Sequence, residues 1–419
     1  MKTKGLRLHG KNDLRLDEFD LPKLKEDEIL ARVVTDSICM STYKTVLQGS
    51  EHKRVPSDIA ENPVMMGHEF CGELIKVGAK WQGKYEVGSK FTIQTALNQK
   101  HDPFAAPGFS YRYIGGTSTY VIIPNEVMEL DCLLRFDGEA YFHGSMSEPM
   151  SCIIGAFHAS YHTRQGEYVH DMGIREGGAM AIIGGTGPMG LGAIDYALHC
   201  GRRPKLLVVT DIDESRLRRA QAIYTPEDAR EDGIELVYLN THGDSKQEMM
   251  ALTNGDGYDD VMVFAQVKQA VELSDSVLGK DGCLNFFAGP TDTAFAADMN
   301  FYNVHYSATH VVGTTGGNKD DMKEALVLMR DGAINPTAMI THVGGLDCAV
   351  ETTRNLANIA GGKKLIYTQK SMPLTAIADF EKLGKVDPFF AELAIITRSN
   401  NGMWSAQAEK YIIENAKEI

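Results

Sequence analysis

The chain has 419 residues, about twice the length of a usual single domain, so two domains are expected. Hydrophobic residues make up 43% and charged residues 23%, which is ordinary globular usage and argues against a disordered or collagen-like protein. With 42 Lys and Arg against 56 Asp and Glu, the net charge is −14 and the pI about 5.4, which disfavours nucleic acid and anionic membrane surfaces as partners.

Short apolar or alternating runs in the first 150 residues predict strands, because turn-forming glycines and prolines separate them. The runs are residues 29–34, 73–77, 90–94 and 119–123. Short strands at this spacing predict a β-rich, barrel-like domain.

From about Cys152 the pattern changes to apolar strands that alternate with helices. Strands are predicted at residues 179–184, 206–211, 261–265, 284–288 and 311–313, and helices at 190–200 and 214–223. Fully apolar strands joined by helices predict a parallel sheet that is covered on both faces. After Gln369, three more helical patterns follow, with breaks at Leu383-Gly384 and at residues 400–402.

Cysteine usage predicts a reducing compartment, since the count is odd and no C-x-x-C pair occurs. The seven cysteines are Cys39, Cys71, Cys132, Cys152, Cys200, Cys283 and Cys348. Residues 1–10 lack the apolar core of a secretory signal, and the glycine-rich stretch at 179–198 is not a membrane span. A soluble, cytoplasmic protein is expected.

A G-x-G-x-x-G pattern follows the predicted strand at 179–184 and opens a helix. Its six residues are Gly185, Thr186, Gly187, Pro188, Met189 and Gly190. Alone, such a pattern can be a structural tight turn. Its place between strand and helix, with Asp211 21 residues further on at the end of the next strand, is typical of a dinucleotide-binding domain.

Each residue of this turn has a physical role in cofactor binding. Gly185 permits the sharp turn, Gly187 lets backbone amides approach the pyrophosphate, and Gly190 lets helix and strand pack closely. Asp211 would bind the adenosine ribose and repel a 2′-phosphate, which favours NAD over NADP. Arg216 weakens this preference, because a guanidinium can accommodate the 2′-phosphate.

Metal ligands are harder to predict from residue spacing than the glycine-rich turn is. Cys39, His68 in Gly67-His68-Glu69, and Glu148 in Glu148-Pro149 do not form a short-range ligand signature. Taken singly, the cysteine can be a core residue, the histidine a structural residue, and the glutamate a helix cap.

Taken together and in order, these motifs resemble the zinc-dependent medium-chain dehydrogenase/reductase family. The resemblance rests on Cys39 with a hydroxyl two residues later, G-H-E-x-x-G, E-P, G-x-G-x-x-G and T-D, and it runs from about Arg15 to Thr368. It is strongest to the polyol and sugar-phosphate branch, which includes sorbitol and galactitol-1-phosphate dehydrogenases.

The resemblance implies a role for each residue. Cys39, His68 and Glu148 match the protein ligands of a catalytic zinc, and Glu69 matches a carboxylate that enters or leaves the coordination sphere. Ser41 matches the hydroxyl that relays the alcohol proton, although a solvent-facing loop serine is the alternative. Relatives with a second, structural zinc carry four close cysteines, whereas residues 94–113 contain none. One zinc at most is therefore expected, with that segment held by Phe104, Phe109, Tyr111 and Tyr113.

Two further groups of residues are candidates for substrate and cofactor contacts. Gln266, Gly289, Thr314 and Thr315 follow predicted strands of the parallel sheet, and by resemblance they line the nicotinamide pocket. A polar stretch with Lys44, His52, Lys53 and Arg54 lies between Cys39 and His68. It is either a solvated surface or a site for the phosphate of a sugar, with Lys44 as the strongest candidate.

The resulting prediction is a two-domain α/β protein. A GroES-like catalytic domain spans 1–152, a doubly wound Rossmann domain spans 153–313, and residues 314–419 return to the catalytic domain with a helical C-terminal extension. The resemblance implies hydride transfer between NAD(P)H and a ketose phosphate or polyol phosphate, with L-sorbose 1-phosphate and glucitol 6-phosphate as the specific pair. An unphosphorylated polyol dehydrogenase and a non-catalytic dinucleotide-binding protein are the alternatives. A homo-oligomer, dimer or tetramer, is expected.

Overall fold

The computed structural model describes residues 1–164, 166–243 and 245–419, which divide into two compact units. The first unit comprises Met1–Pro149, Asn318–Gly332 and Pro336–Ile419. The second comprises Met150–Gly317 and Ala333–Asn335.

The N-terminal part of the first unit is rich in strands. Its elements are β1 (Lys2–Gly10), β2 (Asp13–Asp20), β3 (Ile29–Ile38), α1 (Met40–Gln48), β4 (Val64–Met65), β5 (Phe70–Val77), β6 (Lys90–Ile93), β7 (Tyr120–Ile123), α2 (Asn125–Glu129), β8 (Leu133–Arg135) and the start of α3 (Tyr141–Ala159).

The second unit alternates strands and helices. Its elements are β9 (Tyr161–Thr163), β10 (His170–Met172), β11 (Ala179–Ile183), α4 (Pro188–His199), β12 (Leu206–Asp211), α5 (Glu214–Ile223), α6 (Pro226–Glu231), β13 (Glu235–Asn240), α7 (Ser245–Leu252), β14 (Tyr258–Val263), α8 (Lys268–Ser276), β15 (Leu278–Phe286), α9 (Phe301–Tyr306) and β16 (His310–Val312).

The remainder of the chain returns to the first unit. Its elements are α10 (Lys319–Arg330), β17 (Ile340–Gly345), α11 (Ala349–Arg354), β18 (Lys363–Tyr367), β19 (Lys370–Ser371), β20 (Thr375–Ala376), α12 (Phe380–Leu383), α13 (Pro388–Ser399), α14 (Ala406–Asn415) and β21 (Lys417–Glu418).

A mixed sheet of eight strands organises the first unit. Seven of them run in the order β20-β17-β18-β3-β5-β6-β8, and β7 pairs with β3. Alternate residues of β3, Ile29, Ala31 and Val33, point into one hydrophobic core together with Phe70 and Leu74 of β5. The long central strand β3 ends at Ile38, and Cys39 is the next residue.

A six-stranded parallel sheet organises the second unit, in the order β13-β12-β11-β14-β15-β16. Its central strands are buried along their length, as expected for a sheet with helices on both faces. The order reverses between β11 and β14, so the loops after these strands border the crevice where ligands bind in open α/β sheets.

The sequence predicted β3, β5, β6 and β7 of the mixed sheet and five of the six strands of the parallel sheet. It missed β1, β2, β13, β17 and β18, and it displaced the ends of other strands. The prediction at 261–265 starts three residues late, because β14 opens with Tyr258 and two aspartates. Asp260 is nevertheless buried, since its carboxylate accepts hydrogen bonds from Arg175 N and His162 Nε2. The strand predicted at 284–288 is in fact Leu278–Phe286. Among the described residues, no helix is long and apolar enough to cross a lipid bilayer.

Candidate functional site

Three side chains that could bind a metal meet at one end of the mixed sheet. Cys39 lies between β3 and α1, and His68 and Glu69 lie just before β5. One potential ligand atom from each residue lies within 4.8 Å of the other two. The pairing of β3 with β5 brings these segments together, because Ser37 N donates to the Glu69 carbonyl over 2.9 Å.

The approach to His68 depends on a glycine. Gly67 has a φ of +96°, which side chains other than glycine rarely adopt. A Cβ atom there would come within 2.4 Å of Asp36 Oδ2. Asp36 in turn accepts hydrogen bonds from Thr117 Oγ1 and Glu69 N, so this buried carboxylate fixes the loop that carries His68.

The chemistry of these three groups fits a zinc ion. Burial lowers the pKa of His68 to about 4, so the imidazole is neutral and has a lone pair to give. Burial, followed by the Glu69 charge, raises the pKa of Cys39 to about 12, and a bound cation would favour its thiolate. Glu69 Oε2 is buried and has no hydrogen-bond partner among the described residues. Sulfur, nitrogen and oxygen donors together are a typical zinc set.

Glu148 lies in the interior of α3, followed by Pro149 inside the same helix. The helix-cap alternative for Glu148 is therefore wrong. Its carboxylate is half-buried, and its charge acts on both Cys39 and Lys363, although it does not belong to the 4.8 Å group.

Ser41 lies beside the candidate ligands. Its hydroxyl contacts Cys39 Sγ and His68 Nε2, each over 3.1 Å. Ser41 is half-buried on the first turn of α1, which rules out the alternative of a solvent-facing loop serine.

Lys363 is a site residue that sequence reasoning missed. Its ammonium group donates to Glu69 Oε1 over 2.5 Å, and both side chains are buried. Burial opposes its charge, but Glu69, Cys39 and Glu148 raise the pKa of Lys363 above its usual value. A charged residue at the start of the otherwise apolar β18 was the available signal, and Lys364 beside it gives the same signal.

The glycine-rich turn lies at the carboxyl end of β11 and leads into α4. A Cβ on Gly190 would lie 2.2 Å from the Gly185 carbonyl oxygen, so glycine is required for this close packing. A Cβ on Gly187 would meet nothing within 4 Å. Gly187 precedes Pro188 at the first position of α4, so the space in front of the helix N-terminus can take a phosphate group.

Asp211 ends β12 beside this turn. Its carboxylate accepts hydrogen bonds from the Thr186 hydroxyl and from the backbone amides of Ile212 and Asp213. Arg216 is exposed on α5, 3.6 Å from Asp213.

The other predicted cofactor residues follow strands of the same parallel sheet. Gln266 comes after β14, Gly289 after β15 and Thr314 after β16, so all three follow the carboxyl ends. Thr314 Oγ1 is buried without a hydrogen-bond partner among the described residues, which leaves a polar atom for a ligand.

Comparison with known proteins shows the family of this chain. The alcohol dehydrogenase GroES-like domain matches residues 25–131, and the zinc-binding dehydrogenase domain matches 188–331. L-sorbose 1-phosphate reductase of Klebsiella pneumoniae is 49% identical over 100% of this chain and 98% of its own length. Mannitol-1-phosphate 5-dehydrogenase of Aliivibrio fischeri is 50% identical over 99% and 98%. The chain belongs to the zinc-binding dehydrogenase family.

The fold of this zinc-binding dehydrogenase agrees with that assignment. The crystal structure of 2R,3R-butanediol dehydrogenase from Bacillus subtilis matches 87% of this chain and 99% of its own, with a TM-score of 0.69 at 21% identity. The predicted fold, a GroES-like domain and a Rossmann domain, and the predicted oxidoreductase class are confirmed.

The polar stretch of this dehydrogenase, between Cys39 and His68, is ordered around Phe109. The Phe109 ring lies 4.6 Å from the ring of His68 and stacks at 5.9 Å on that of His52. The Arg54 guanidinium lies 5.2 Å from the same ring, and its charge contributes to the lowered pKa of His68. This stretch therefore contains a cation close to the candidate metal ligands.

Lys44 and Lys53 differ in their surroundings. Lys44 lies on α1, one turn after Ser41, where burial lowers the pKa of its ammonium group and Cys39 partly offsets this effect. Lys53 lies 5.1 Å from the ring of Phe104 and lines a cavity of about 360 Å³ with Arg54. Phe104 is 45% exposed, so the expectation that it packs this segment is wrong, whereas Phe109 is buried.

Proposed function

We propose that this zinc-binding dehydrogenase interconverts a ketose phosphate and a polyol phosphate, with L-sorbose 1-phosphate and glucitol 6-phosphate as the specific pair. The observation that carries the proposal is the likeness of about half of all residues, over the whole chain, to two relatives that are both named for sugar or polyol phosphates. The Cys39, His68 and Glu69 group supports a catalytic rather than a purely binding role.

Cys39, His68 and Glu148 are proposed to hold one zinc ion, with Glu69 as the carboxylate that exchanges with substrate or water. Zinc bound there would supply Lewis acidity to the substrate oxygen. Lys363 binds Glu69 Oε1, while the second oxygen, Oε2, has no protein partner among the described residues. A carboxylate held by only one of its oxygens is suited to such an exchange.

Ser41 is proposed to carry the proton of the reacting hydroxyl. In oxidation Ser41 Oγ would accept the proton of the substrate hydroxyl as it hands its own hydrogen on to water, and in reduction this relay would run in reverse. Nicotinamide, when bound, would supply the acceptor or donor of the hydride. The contacts of Ser41 Oγ with Cys39 Sγ and His68 Nε2 support this role, because they hold the hydroxyl beside the candidate ligands.

NAD(H) is the proposed cofactor, with NADP(H) as the alternative. Asp211 lies where the ribose of a dinucleotide bound to the glycine-rich turn would be, and its carboxylate repels a 2′-phosphate. The proposed contacts are the turn, Asp211 and Arg216, together with Gln266, Gly289 and Thr314 at the nicotinamide end.

Lys44 is proposed to bind the substrate phosphate. The whole chain carries a charge of −14, so a phosphorylated sugar needs a local cation to offset long-range repulsion. Lys44 is close enough to Cys39 for the two groups to interact electrostatically, and it lies on the same helix as Ser41.

A paired substrate screen tests the proposed function. Purified protein is assayed with L-sorbose 1-phosphate, free L-sorbose, and fructose with and without phosphate, each with NADH and with NADPH. Higher kcat/KM for a phosphorylated ketose supports the proposal. A higher value for the free sugar would make the protein a dehydrogenase of an unphosphorylated polyol.

A homo-oligomer is proposed from two features of the second unit. Strand β16 lies at the edge of the parallel sheet, and the preceding helix α9 exposes Phe301, Tyr302 and Tyr306. Exposed aromatic residues beside a sheet edge favour association. Analytical ultracentrifugation of the wild type and of Tyr302→Asp tests this; a monomeric wild type would contradict it.

A cytoplasmic location is proposed because none of the seven cysteines forms a disulfide bond, as expected in a reducing compartment. Fractionation of cells with an antibody against the protein tests it. Recovery in an oxidising compartment would contradict it.

A further inference from the structure

The C-terminal helix α14 places a buried carboxylate at the start of α3. Glu409 is 2% exposed, and its two oxygens accept hydrogen bonds from Tyr141 N over 2.5 Å and from Phe142 N over 2.9 Å. These are the first two amides of α3, which have no partner inside the helix. The first turn of α3 contains no acidic residue, so Glu409 supplies the negative charge that a helix N-terminus favours.

The same carboxylate also contacts strand β18. Tyr367 donates its hydroxyl hydrogen to Glu409 Oε2 over 3.1 Å, and the fully buried Trp404 donates its ring N–H to the Tyr367 oxygen over 2.9 Å. Glu409 therefore links the C-terminal extension to α3 and to β18 at one point.

Both of these elements carry residues of the metal site. Glu148 lies seven residues after Tyr141, about two turns and about 10 Å along α3. Lys363 lies on β18 four residues before Tyr367, on the same face of the strand, and binds Glu69. The separation of Glu148 from Cys39 thus depends on how α3 is held against the sheet.

A second contact between α3 and the sheet lies closer to Glu148. Thr35 of β3 shares a hydrogen bond of 2.6 Å with Ser145 of α3, and Thr35 pairs with Tyr367 in the sheet. Glu409 and Ser145 therefore hold the first turns of α3 at two points before Glu148. Burial raises the pKa of Glu409 to about 7. Holding the ionised carboxylate in the interior therefore costs desolvation free energy, which its three hydrogen bonds offset.

We propose that Glu409 is a positioning residue for the metal site, and that it sets the approach of Glu148 to Cys39, His68 and Glu69 by fixing the start of α3 against β18. The inference rests on the metal site proposed above. It gives the C-terminal extension a function in catalysis, since no other part of the described chain supplies the two first amides of α3 with an acceptor.

The test compares Glu409→Gln with Glu414→Gln in the full-length protein. Glutamine keeps the size of the side chain, but its NH₂ group cannot accept the hydrogen bond of a helix amide. Glu414 is a matched control on the same helix, with a side chain 58% exposed. Zinc affinity is measured by competition with a chelator, the ligand geometry by the visible absorption of Co²⁺-substituted protein, and cofactor binding by NADH fluorescence.

Glu409→Gln should weaken zinc binding by about ten- to a hundredfold, as for other residues that support metal ligands, and should change the Co²⁺ spectrum. The NADH affinity of Glu409→Gln should stay within about twofold of wild type. The zinc and NADH affinities of Glu414→Gln should both stay within the same range. Tyr367→Phe, which removes one of the three hydrogen bonds without changing the ring, should shift zinc affinity in the same direction, and it carries the test if Glu409→Gln does not fold.

Two outcomes separate this inference from the metal site itself. If Cys39→Ala loses zinc while Glu409→Gln keeps wild-type zinc affinity and Co²⁺ spectrum, Glu409 only stabilises the fold and the inference is wrong. If Cys39→Ala also keeps wild-type zinc binding, the metal site is wrong, and the inference falls with it.

Discussion

The glycine-rich turn of the second unit is built from consecutive residues, whereas the metal group of the first unit is assembled from distant segments. Residues 185–190 form one strand-to-helix connection, and Asp211 joins it from the neighbouring strand. Cys39, His68 and Lys363 come from segments up to 324 positions apart, held together by the pairing of β3 with β5 and β18. A local site therefore depends on backbone conformation, and an assembled site depends on the packing of a whole sheet.

This difference predicts that the assembled metal group is more sensitive than the glycine-rich turn to the loss of a buried charge. Lys363→Met leaves Glu69 as a buried carboxylate without its partner, which costs about 3–5 kcal/mol. Both tryptophans, Trp81 and Trp404, lie in the first unit, so their fluorescence follows unfolding of that unit in urea. Metal-free Lys363→Met should unfold at much lower urea, and the double variant with Glu69→Gln should recover most of the loss. An unchanged transition would contradict the importance of this ion pair.

The local site should instead fail through its backbone. Gly190→Ala places a Cβ 2.2 Å from the Gly185 carbonyl oxygen, and overpacking of this kind costs about 1–3 kcal/mol. If that free energy is lost from cofactor binding, NADH affinity should fall by about five- to a hundredfold, at about 1.4 kcal/mol per decade. Gly201→Ala, where a Cβ meets nothing within 4 Å, is the matched control. Zinc content should be normal in both variants, and its loss in Gly190→Ala would show that the two sites are not independent.

Phosphate binding by Lys44 gives a further prediction for the first unit. A charge-assisted hydrogen bond to phosphate is worth about 1.5–3 kcal/mol. Lys44→Ala should therefore lower kcat/KM for the phosphorylated ketose by about ten- to a hundredfold and leave the free ketose nearly unchanged. Lys11→Ala, an exposed lysine paired with Glu51, is the control. An equal loss on both sugars would make Lys44 a structural residue.

The smallest predicted effect is in cofactor choice. Asp211→Ser removes the charge that is proposed to face the 2′-phosphate of NADPH. The ratio of kcat/KM with NADPH to kcat/KM with NADH should therefore rise by about tenfold, which corresponds to about 1.4 kcal/mol less repulsion. Overall affinity should also decrease, because Thr186 loses its hydrogen-bond acceptor. A wild type that already prefers NADPH would contradict this prediction, and Arg216→Ala would then show whether the guanidinium is the cause.

How far the sequence predicted these sites follows from the same contrast. The strand, turn, helix and terminal aspartate of the proposed cofactor site are close together in sequence, and residues 206–211 and 214–223 match β12 and α5 at both ends. The metal ligands could be named only through resemblance to a family, because no spacing rule links Cys39 to His68.

The residues that support the proposed metal site carried no distinguishing signal in the sequence. Lys363 looked like one of two charged residues at the start of a strand, and burial beside Glu69 appears only once β18 pairs with β3. Glu409 looked like one of several polar residues in a helical pattern. Its importance depends on α14 packing against the start of α3, which periodicity cannot show.

The most direct test of the account is zinc content and NADH binding in Cys39→Ala, measured on the same protein sample. Wild type should contain one zinc per subunit and bind NADH. Cys39→Ala should lose both zinc and activity, while its NADH affinity stays within about twofold of wild type, because the proposed cofactor contacts lie in the other unit. Full activity in zinc-free protein, or zinc retained at wild-type level by Cys39→Ala, would contradict the central claim.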